Sequence, residues 1–557
     1  MIFRNCVLIC LFLAYHLPVF SQKTLLNQHW QFKSTTEKKW HAAAVPGTVH
    51  TDLLANHIID DPFYRDNETK QQWISKQDWE YKTSFDAEKQ STKAVLQFEG
   101  LDTYAKVYLN DSLILQSDNM FRTYRIEVGQ LLKQQNNLLR IVFESAENKA
   151  AQLAKNSPRK FPCENQRNFV RKAQYHFGWD WAPRMITCGI WRQVSLIYTP
   201  SEKIADAQYS NVQLIQEKDS IGQSFYFNAN GKPTFMKGAN WIPADVFLPR
   251  ITHDKYRSLL IAAKQAGMNM LRVWGGGIYE DDYFYTLCDS LGIYIWQDFM
   301  FAGAMYPTDA YALENIRQEA IDNILRLRKH KCIVLWCGNN EIDEAWHNWG
   351  WQKQFNLTQN DSTALWRGYQ QLFHELLPSL VSQYDSGRTY IASSPLHGWG
   401  RTQSMTHGDS HYWGLWWGLD SISVMKKKIP RFMSEYGMQA MPDISSILQF
   451  ALENEMDTST SVIQLHQKHP TGFQTLTKYL QMENIPVTDI TSFVMGTQEL
   501  QSRVVETALN AQLQANGRCM GSLIWQLNDC WPVCSWSLID YYGTKKKAYY
   551  TFQKVGK

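Results

Sequence analysis

Two glutamates stand where a chain of this texture can do proton and nucleophile chemistry. Glu341 follows the apolar run from Ile333 to Trp336 through Cys337, Gly338, Asn339 and Asn340, and Glu435 follows Arg431, Phe432, Met433 and Ser434. A carboxylate that ends an apolar run with no lysine or arginine directly beside it is uncommon and calls for a reason. Two carboxyl groups held about 5 to 5.5 Å apart can cleave a glycosidic bond with retention, one as nucleophile and the other as acid and then base. The other reading is that each glutamate caps a loop or pairs with an arginine.

The aromatic content leans towards a sugar. The chain has 557 residues and 22 tryptophans, more than core packing alone usually needs. Sugar rings present apolar C–H faces, which flat side chains cover while polar groups read the hydroxyls. Lysine and arginine total 56 against 53 acidic residues, so there is no broad basic field to follow a phosphate backbone, and nucleic acid is excluded as a partner.

The elements that must position these residues read as two domains, in keeping with the length. Residues 22–200 consist of short alternating runs, such as Ala94 to Phe98, Ala105 to Leu109 and Leu138 to Phe143, with Asn110-Asp111 as a turn between two of them. That pattern predicts an antiparallel β-sandwich of jelly-roll type. From 232 to 557 apolar strands alternate with amphipathic helices, the first of them opened by Thr252. The strands are predicted at Met236 to Ala239, Met268 to Val273, Ile293 to Trp296, Ile333 to Trp336, Thr389 to Ala392, His411 to Trp413, Arg431 to Met433 and Ser522 to Trp525. Eight such strands predict a (β/α)8 TIM barrel, whose catalytic groups sit at the C-terminal strand ends. Glu341 and Glu435 then end the fourth and seventh strands. A long insertion from Pro442 to about Glu499, with helical texture at Ile447 to Leu452 and Phe473 to Leu480, precedes the eighth strand.

Several strings resemble glycoside hydrolase family 2 in its β-mannosidase branch: Lys237 to Pro243, Arg272 to Gly277, Trp296 to Phe299, Trp336 to Glu341 and Arg431 to Gly437. The resemblance implies a retaining, exo-acting β-mannosidase that removes terminal β-mannosyl units, with Glu435 as nucleophile and Glu341 as general acid/base. It further implies that Asn340 binds the sugar 2-hydroxyl, and that Trp274, Trp349, Trp413 and Trp525 form a sugar platform. The sandwich loop from Tyr175 to Trp181 resembles one that the family projects into the barrel mouth, where Trp179 and Asp180 would close the sugar pocket. Ala182 stands where glycine is expected in that pattern. Other sugars handled within the family, β-galactosides, β-glucuronides and β-glucosaminides, are the alternative substrates, and a non-catalytic carbohydrate-binding remnant is the alternative of another class.

The chain departs from the family pattern in one place above all. Residues 201–231 leave only a short linker where related enzymes carry an immunoglobulin-like domain of about 100 residues, so the sandwich loop must reach the barrel without that spacer. The family's trailing β-domains are also expected to be absent after Lys557. Residues 1–21, with Arg4, an apolar run from Val7 to Phe20 and then Ser21, read as a signal peptide, which predicts an exported, periplasmic or extracellular protein without a membrane span. No CxxC spacing or Cys/His cluster points to zinc. No metal and no cofactor are expected, and the partner is a small-molecule or oligosaccharide β-mannoside substrate, with an N-glycan core as one candidate.

Overall fold

The computed structural model describes residues 22–87, 93–198 and 205–556. The segment read as a leader, 1–21, lies outside the described residues. No helix among the described residues is long and apolar enough to cross a membrane.

The N-terminal part is an antiparallel β-sandwich. Its six-stranded sheet runs in the order His41–Ala42, Gln31–Ser34, Trp79–Phe85, Asn137–Glu144, Tyr104–Leu109, Ser112–Asp118, and its four-stranded sheet in the order Gln22–Leu25, Val194–Tyr198, Val95–Phe98, Tyr124–Glu127. Burial alternates residue by residue along Asn137–Glu144, as the period-2 pattern requires of a strand with one face in the core. Phe32, Phe98, Val107, Leu139, Ile141 and Phe143 fill the space between the sheets. Asn110 and Asp111 both take positive φ, 49° and 68°, the left-handed pair of a tight hairpin turn.

The C-terminal part is a parallel eight-stranded barrel. Its strands, in chain order, are Met236–Trp241, Met270–Val273, Tyr294–Asp298, Ile333–Cys337, Thr389–Ile391, Asp409–His411, Phe432–Glu435 and Gly521–Ile524. Each of the first four pairs with its successor, the eighth pairs with the first and seventh, and the sixth pairs with the seventh. The ladder opens between the fifth and sixth strands, where side chains bridge instead: Ser394 Oγ donates to Asp409 Oδ2 at 2.7 Å and Leu396 N to Asp409 Oδ1 at 2.8 Å. Those two strands are the shortest of the eight, three residues each. The helix opened by Thr252, His253–Gln265, is capped by the threonine hydroxyl and buries Tyr256, Leu259, Leu260 and Ala263.

Two segments differ from the sequence expectations. Residues 201–231 are expected to form only a short linker, yet Val212–Ile215, Tyr226–Ala229 and Lys232–Thr234 form a three-stranded antiparallel sheet. It closes the N-terminal end of the barrel, with Phe225 packed on Trp296 (5.8 Å between ring centroids) and Phe432 (5.2 Å). The pattern is short, and only the barrel floor supplies the apolar partner that makes it a sheet. In the insertion the helix predicted at Ile447 to Leu452 instead occupies Ile444–Ile447, with Asp443 as its cap, whereas Gly472–Met482 is helical and spans the second predicted stretch.

The sandwich reaches the barrel directly. Tyr175 N donates to Gly276 O at 3.1 Å, Trp531 Nε1 to Trp181 O at 3.1 Å, and Arg167 to the carbonyls of Ala302 and Gly303 at 3.2 and 3.0 Å. A buried ion pair, Arg171 to Glu319 at 2.7 Å, ties the same interface to the outer helices. The loop is a short hairpin, Phe177–Trp179 against Ala182–Arg184. Ala182 is a buried strand residue, so it does not need the backbone freedom of glycine; Gly178, at φ 93°, supplies the positive φ instead. The eight described cysteines, Cys163 and Cys188 among them, are free thiols.

Candidate active site

Glu341 and Glu435 are brought to one place by strand ends that neighbour each other across the barrel mouth. Glu435 is the last residue of the seventh strand. Glu341 opens the helix Ile342–Asn348 with φ 63°, a left-handed conformation that costs a non-glycine residue about 1–3 kcal/mol. Its surroundings impose that backbone: Asn340 N donates to Phe301 O, Glu341 N to Ser394 O and Ser394 N to Asn339 O, all between 2.8 and 2.9 Å. Asn339 Oδ1 meanwhile accepts the N–H of Ile342 at 3.0 Å and caps the helix.

An oxygen of Glu341 and an oxygen of Glu435 lie within 4.8 Å of each other, with His411 Nδ1 inside the same limit. That spacing suits a nucleophile and an acid on either side of one anomeric carbon and leaves too little room for an intervening water, which inverting pairs need. His411 Nδ1 sits 2.9 Å from Glu341 Oε1 and 3.2 Å from Glu435 Oε2. Burial first, and then the charge of Arg272 against the pull of Glu435, leave the imidazole pKa lowered to about 4. His411 is therefore neutral at pH 7. Its Nε2 faces Arg272 Nη1 at 3.4 Å and Ser394 Oγ at 3.1 Å, and the Ser394 proton goes to Asp409; Nδ1 instead faces two carboxyl oxygens that accept, so the ring proton belongs on Nδ1 and points between the two carboxyl groups.

Arg272 organises the floor. Fully buried, it contacts Asp298 through Nη2 at 2.8 Å and Glu435 Oε1 through Nη1 at 2.5 Å, and it donates to Asn340 Oδ1 at 2.8 Å and Asn240 Oδ1 at 3.1 Å. Glu435 Oε2 also accepts the indole N–H of Trp413 at 3.2 Å, so this carboxylate has a charged donor on one oxygen and neutral donors on the other. Glu341 is less well served, receiving Asn340 Nδ2 at 3.3 Å and the shared His411 proton. Burial is the main cause that pushes both carboxyl groups up to about 7, opposed by Arg272, with the charge of Glu341 adding to the rise at Glu435. Two groups so coupled titrate as a pair. The donors favour ionised Glu435 and protonated Glu341.

All nine residues predicted from the sequence line a single cavity of about 720 Å³: Glu341, Glu435, Asn340, Trp274, Trp525, Asp180, Trp179, Trp413 and Trp349. Trp274 and Trp525 are almost wholly buried at its base and meet edge-to-face at 5.7 Å. Trp179 leans on Trp274 at 4.9 Å and lies under the guanidinium of Arg167 at 4.7 Å. Asp180 is half-buried beside them; desolvation first, then the charges of Glu341 and Glu435, push its carboxyl up to about 8. Trp349 stands at the mouth, 44 % exposed.

The sequence reading did not single out Arg272, His411 or Asp298. A signal for the first was present, since an arginine inside the buried strand Met270–Val273 demands a carboxylate partner. His411 gave none, because its role depends on which side chains the neighbouring strands bring to it. Glu341, His411 and Glu435 could together offer one ligand atom each to a cation. Doing so would break the His411 Nδ1–H bonds and set a second positive charge beside Arg272, so the donor set fits a sugar better than a metal.

Residues 30–192 match the family model described as glycosyl hydrolase 2 galactose-binding domain-like. Over 96 % of this chain and 77 % of the relative, the sequence is 33 % identical to β-mannosidase B of Aspergillus fumigatus. With β-mannosidase B of Aspergillus niger it shares 32 % over 97 % of the chain and 77 % of that protein. The matched span with the former, 656 residues, is longer than this whole chain, so that relative carries residues inside the span that this chain lacks. The structure superposes on the crystal structure of a β-D-mannosidase from Dictyoglomus thermophilum with a TM-score of 0.88 at 34 % identity, covering 96 % of this chain and 77 % of that one. An exo-chitosanase of Amycolatopsis orientalis, at 14 % identity and a TM-score of 0.71 over 96 % of this chain and 73 % of that one, shares the fold. With identity of this order sustained over nearly its whole length, the chain belongs to glycosyl hydrolase family 2, in the branch that holds the β-mannosidases.

Proposed function

We propose that this protein hydrolyses terminal β-mannosides with net retention, and that the observation carrying this reading is the pair Glu341 and Glu435 within 4.8 Å at the base of a tryptophan-lined cavity. Glu435, held ionised by Arg272, attacks the anomeric carbon as the C1–O bond breaks, and Glu341 passes its proton to the departing oxygen. The covalent mannosyl ester on Glu435 is then hydrolysed by water, whose proton returns to Glu341 as the C1–O bond to Glu435 breaks. Asn340, fixed by Arg272 through its Oδ1, offers Nδ2 to the sugar 2-hydroxyl. The buried wall of Trp274, Trp525 and Trp179, closed by Asp180, accommodates one sugar ring and supports removal of single terminal units.

The test is release of aryl alcohol from an aryl β-mannoside against an aryl β-galactoside. Turnover of the mannoside alone supports the reading; turnover of only the galactoside sinks the sugar assignment, and turnover of neither sinks the activity. Glu341→Ala should slow a poorly activated mannoside about 10²–10⁴-fold, the range for a lost general acid, while a dinitrophenyl mannoside, whose leaving group needs no proton, should keep most of its first-step rate in a burst measurement.

The raised pKa values set the pH profile. Below the first ionisation of the pair both carboxyl groups are protonated and Glu435 cannot attack; above the second, Glu341 has no proton to give. kcat/KM should therefore rise and then fall with pH, with the alkaline limb near pH 7, where burial has pushed Glu341. Glu341→Gln should remove that limb from the first step with an activated substrate; persistence of the limb would assign it to another group.

A further inference from the structure

The barrel ladder is broken once, between the fifth strand, Thr389–Ile391, and the sixth, Asp409–His411, and the two glutamates hang on opposite sides of that break. Glu341 belongs to the fifth-strand side. Its N–H donates to Ser394 O at 2.8 Å, and Ser394 N donates to Asn339 O at 2.9 Å. Glu435 ends the seventh strand, which pairs with the sixth. Backbone ladders join the two sides only the long way round, through the first and eighth strands.

Asp409 spans the break from a fully buried position. Its Oδ1 accepts Leu396 N–H at 2.8 Å. Its Oδ2 accepts two hydroxyls, Ser394 Oγ at 2.7 Å and Ser434 Oγ at 2.6 Å. Ser434 has a second acceptor in reach, Ser410 O at 3.2 Å, and the shorter contact takes its single proton. One oxygen atom therefore joins the residue that holds the Glu341 backbone to the residue that precedes Glu435. Ser434 is itself fixed, because Asn240 Nδ2 donates to its carbonyl at 2.9 Å. The other bonds over the break, His397 N to Asp409 O and Trp399 N to His411 O, are longer, 3.2 Å each, and start further along the loop from Ser394. A continuous ladder would close the break without burying a carboxyl group, which costs free energy unless donors meet it.

We propose that Asp409 is a positioning residue for the reaction: by accepting the Ser394 and Ser434 hydroxyls on one oxygen, it sets the spacing between the acid Glu341 and the nucleophile Glu435. This rests on the proposed function. Asp409, Ser394 and Ser434 lie outside the lining of the catalytic cavity, so they act on the sugar only through the two glutamates. A stitch that served stability alone would change how much of the chain folds. A spacer changes how well each folded chain works.

The test measures kcat, KM and the pH profile on an aryl β-mannoside, per folded chain, for wild type, Asp409→Ala, Asp409→Asn and Ser434→Ala. Asp409→Ala is expected to lower kcat about 10²-fold, the cost of a misplacement of about 1 Å, with KM little changed because no sugar contact is lost. As the glutamates part, the charge of Glu341 acts less on Glu435, and the two limbs of the pH profile should move closer together. Asp409→Asn, whose amide can bond both hydroxyls once they turn, should recover most of kcat. Ser434→Ala cuts the link while leaving Asp409 two donors, so it carries the test if Asp409→Ala does not fold. It should lower kcat and draw the limbs together in the same way, and adding Asp409→Ala to it should cost little more, since both break one link. Unchanged kcat and unchanged limbs per folded chain, with only the melting temperature lowered, would overturn the proposal. Wild type that turns over no mannoside would instead sink the glycosidase reading on which it rests.

Discussion

Glu435→Ala is expected to lower kcat on an aryl β-mannoside on the order of 10⁵-fold or more, the scale on which an enzyme loses a nucleophile while its binding site persists. The chain should still fold. Arg272 keeps its contact with Asp298, at 2.8 Å, so no unpaired buried guanidinium is left behind. The space vacated beside Arg272 and the Trp413 indole would accept a small anion. Added azide should then attack an activated mannoside from the face Glu435 occupied, forming a C1–N bond as the C1–O bond breaks and yielding the α-mannosyl azide. In Glu341→Ala, by contrast, azide should intercept the ester on Glu435 and yield the β-azide. The product configurations, read by NMR, assign the two carboxylates independently of rate; an α-azide from Glu341→Ala would exchange their roles.

Arg272→Met is the second large effect, and it acts on stability as well as turnover. The substitution leaves Asp298 and Glu435 facing each other in a buried site without the cation that both contact. Removing one member of a buried ionic cluster costs about 3–5 kcal/mol, because the remaining charge is uncompensated. The melting temperature should fall accordingly. Whatever fraction folds should show its acidic limb moved to higher pH, since Arg272 is one of the groups that hold the Glu435 carboxyl down. Arg272→Lys separates the contributions: it keeps a charge near Glu435 but cannot reach Asp298, Asn240, Asn340 and Glu435 together, so it should recover more stability than turnover. An unchanged pH profile in a folded Arg272→Met chain would show that the guanidinium does not tune the nucleophile.

Much of this site was legible before any folding. A run of buried strands followed by Asn340-Glu341 and by Ser434-Glu435 put both carboxylates at C-terminal strand ends, and the alternating texture of 22–200 separated the sandwich from the barrel. The barrel strands fall within a few residues of their predicted places because most are buried runs bounded by polar turns. Weaker signals gave weaker outcomes. The sheet under the barrel was missed since its strands are three or four residues long and gain their partner only from Trp296 and Phe432. The first insertion helix lies a few residues earlier than expected because Asp443, not the apolar spacing, fixes its start.

By itself the sequence determined which residues are chemically able to act: two glutamates at strand ends, an asparagine beside one of them, and an aromatic population suited to sugar faces. Those are properties of residue type and local spacing. The tertiary structure alone decided their electrical state and their company. Arg272, His411 and Glu435 come from three different strands, and the last two stand 24 positions apart in the chain, so no local pattern encodes that an imidazole proton points between two carboxyl groups or that one guanidinium reaches four partners. The contact between the sandwich loop and the barrel rim is likewise a matter of assembly. Burial and distance set the pKa values, and both exist only once strands distant in the chain are packed side by side.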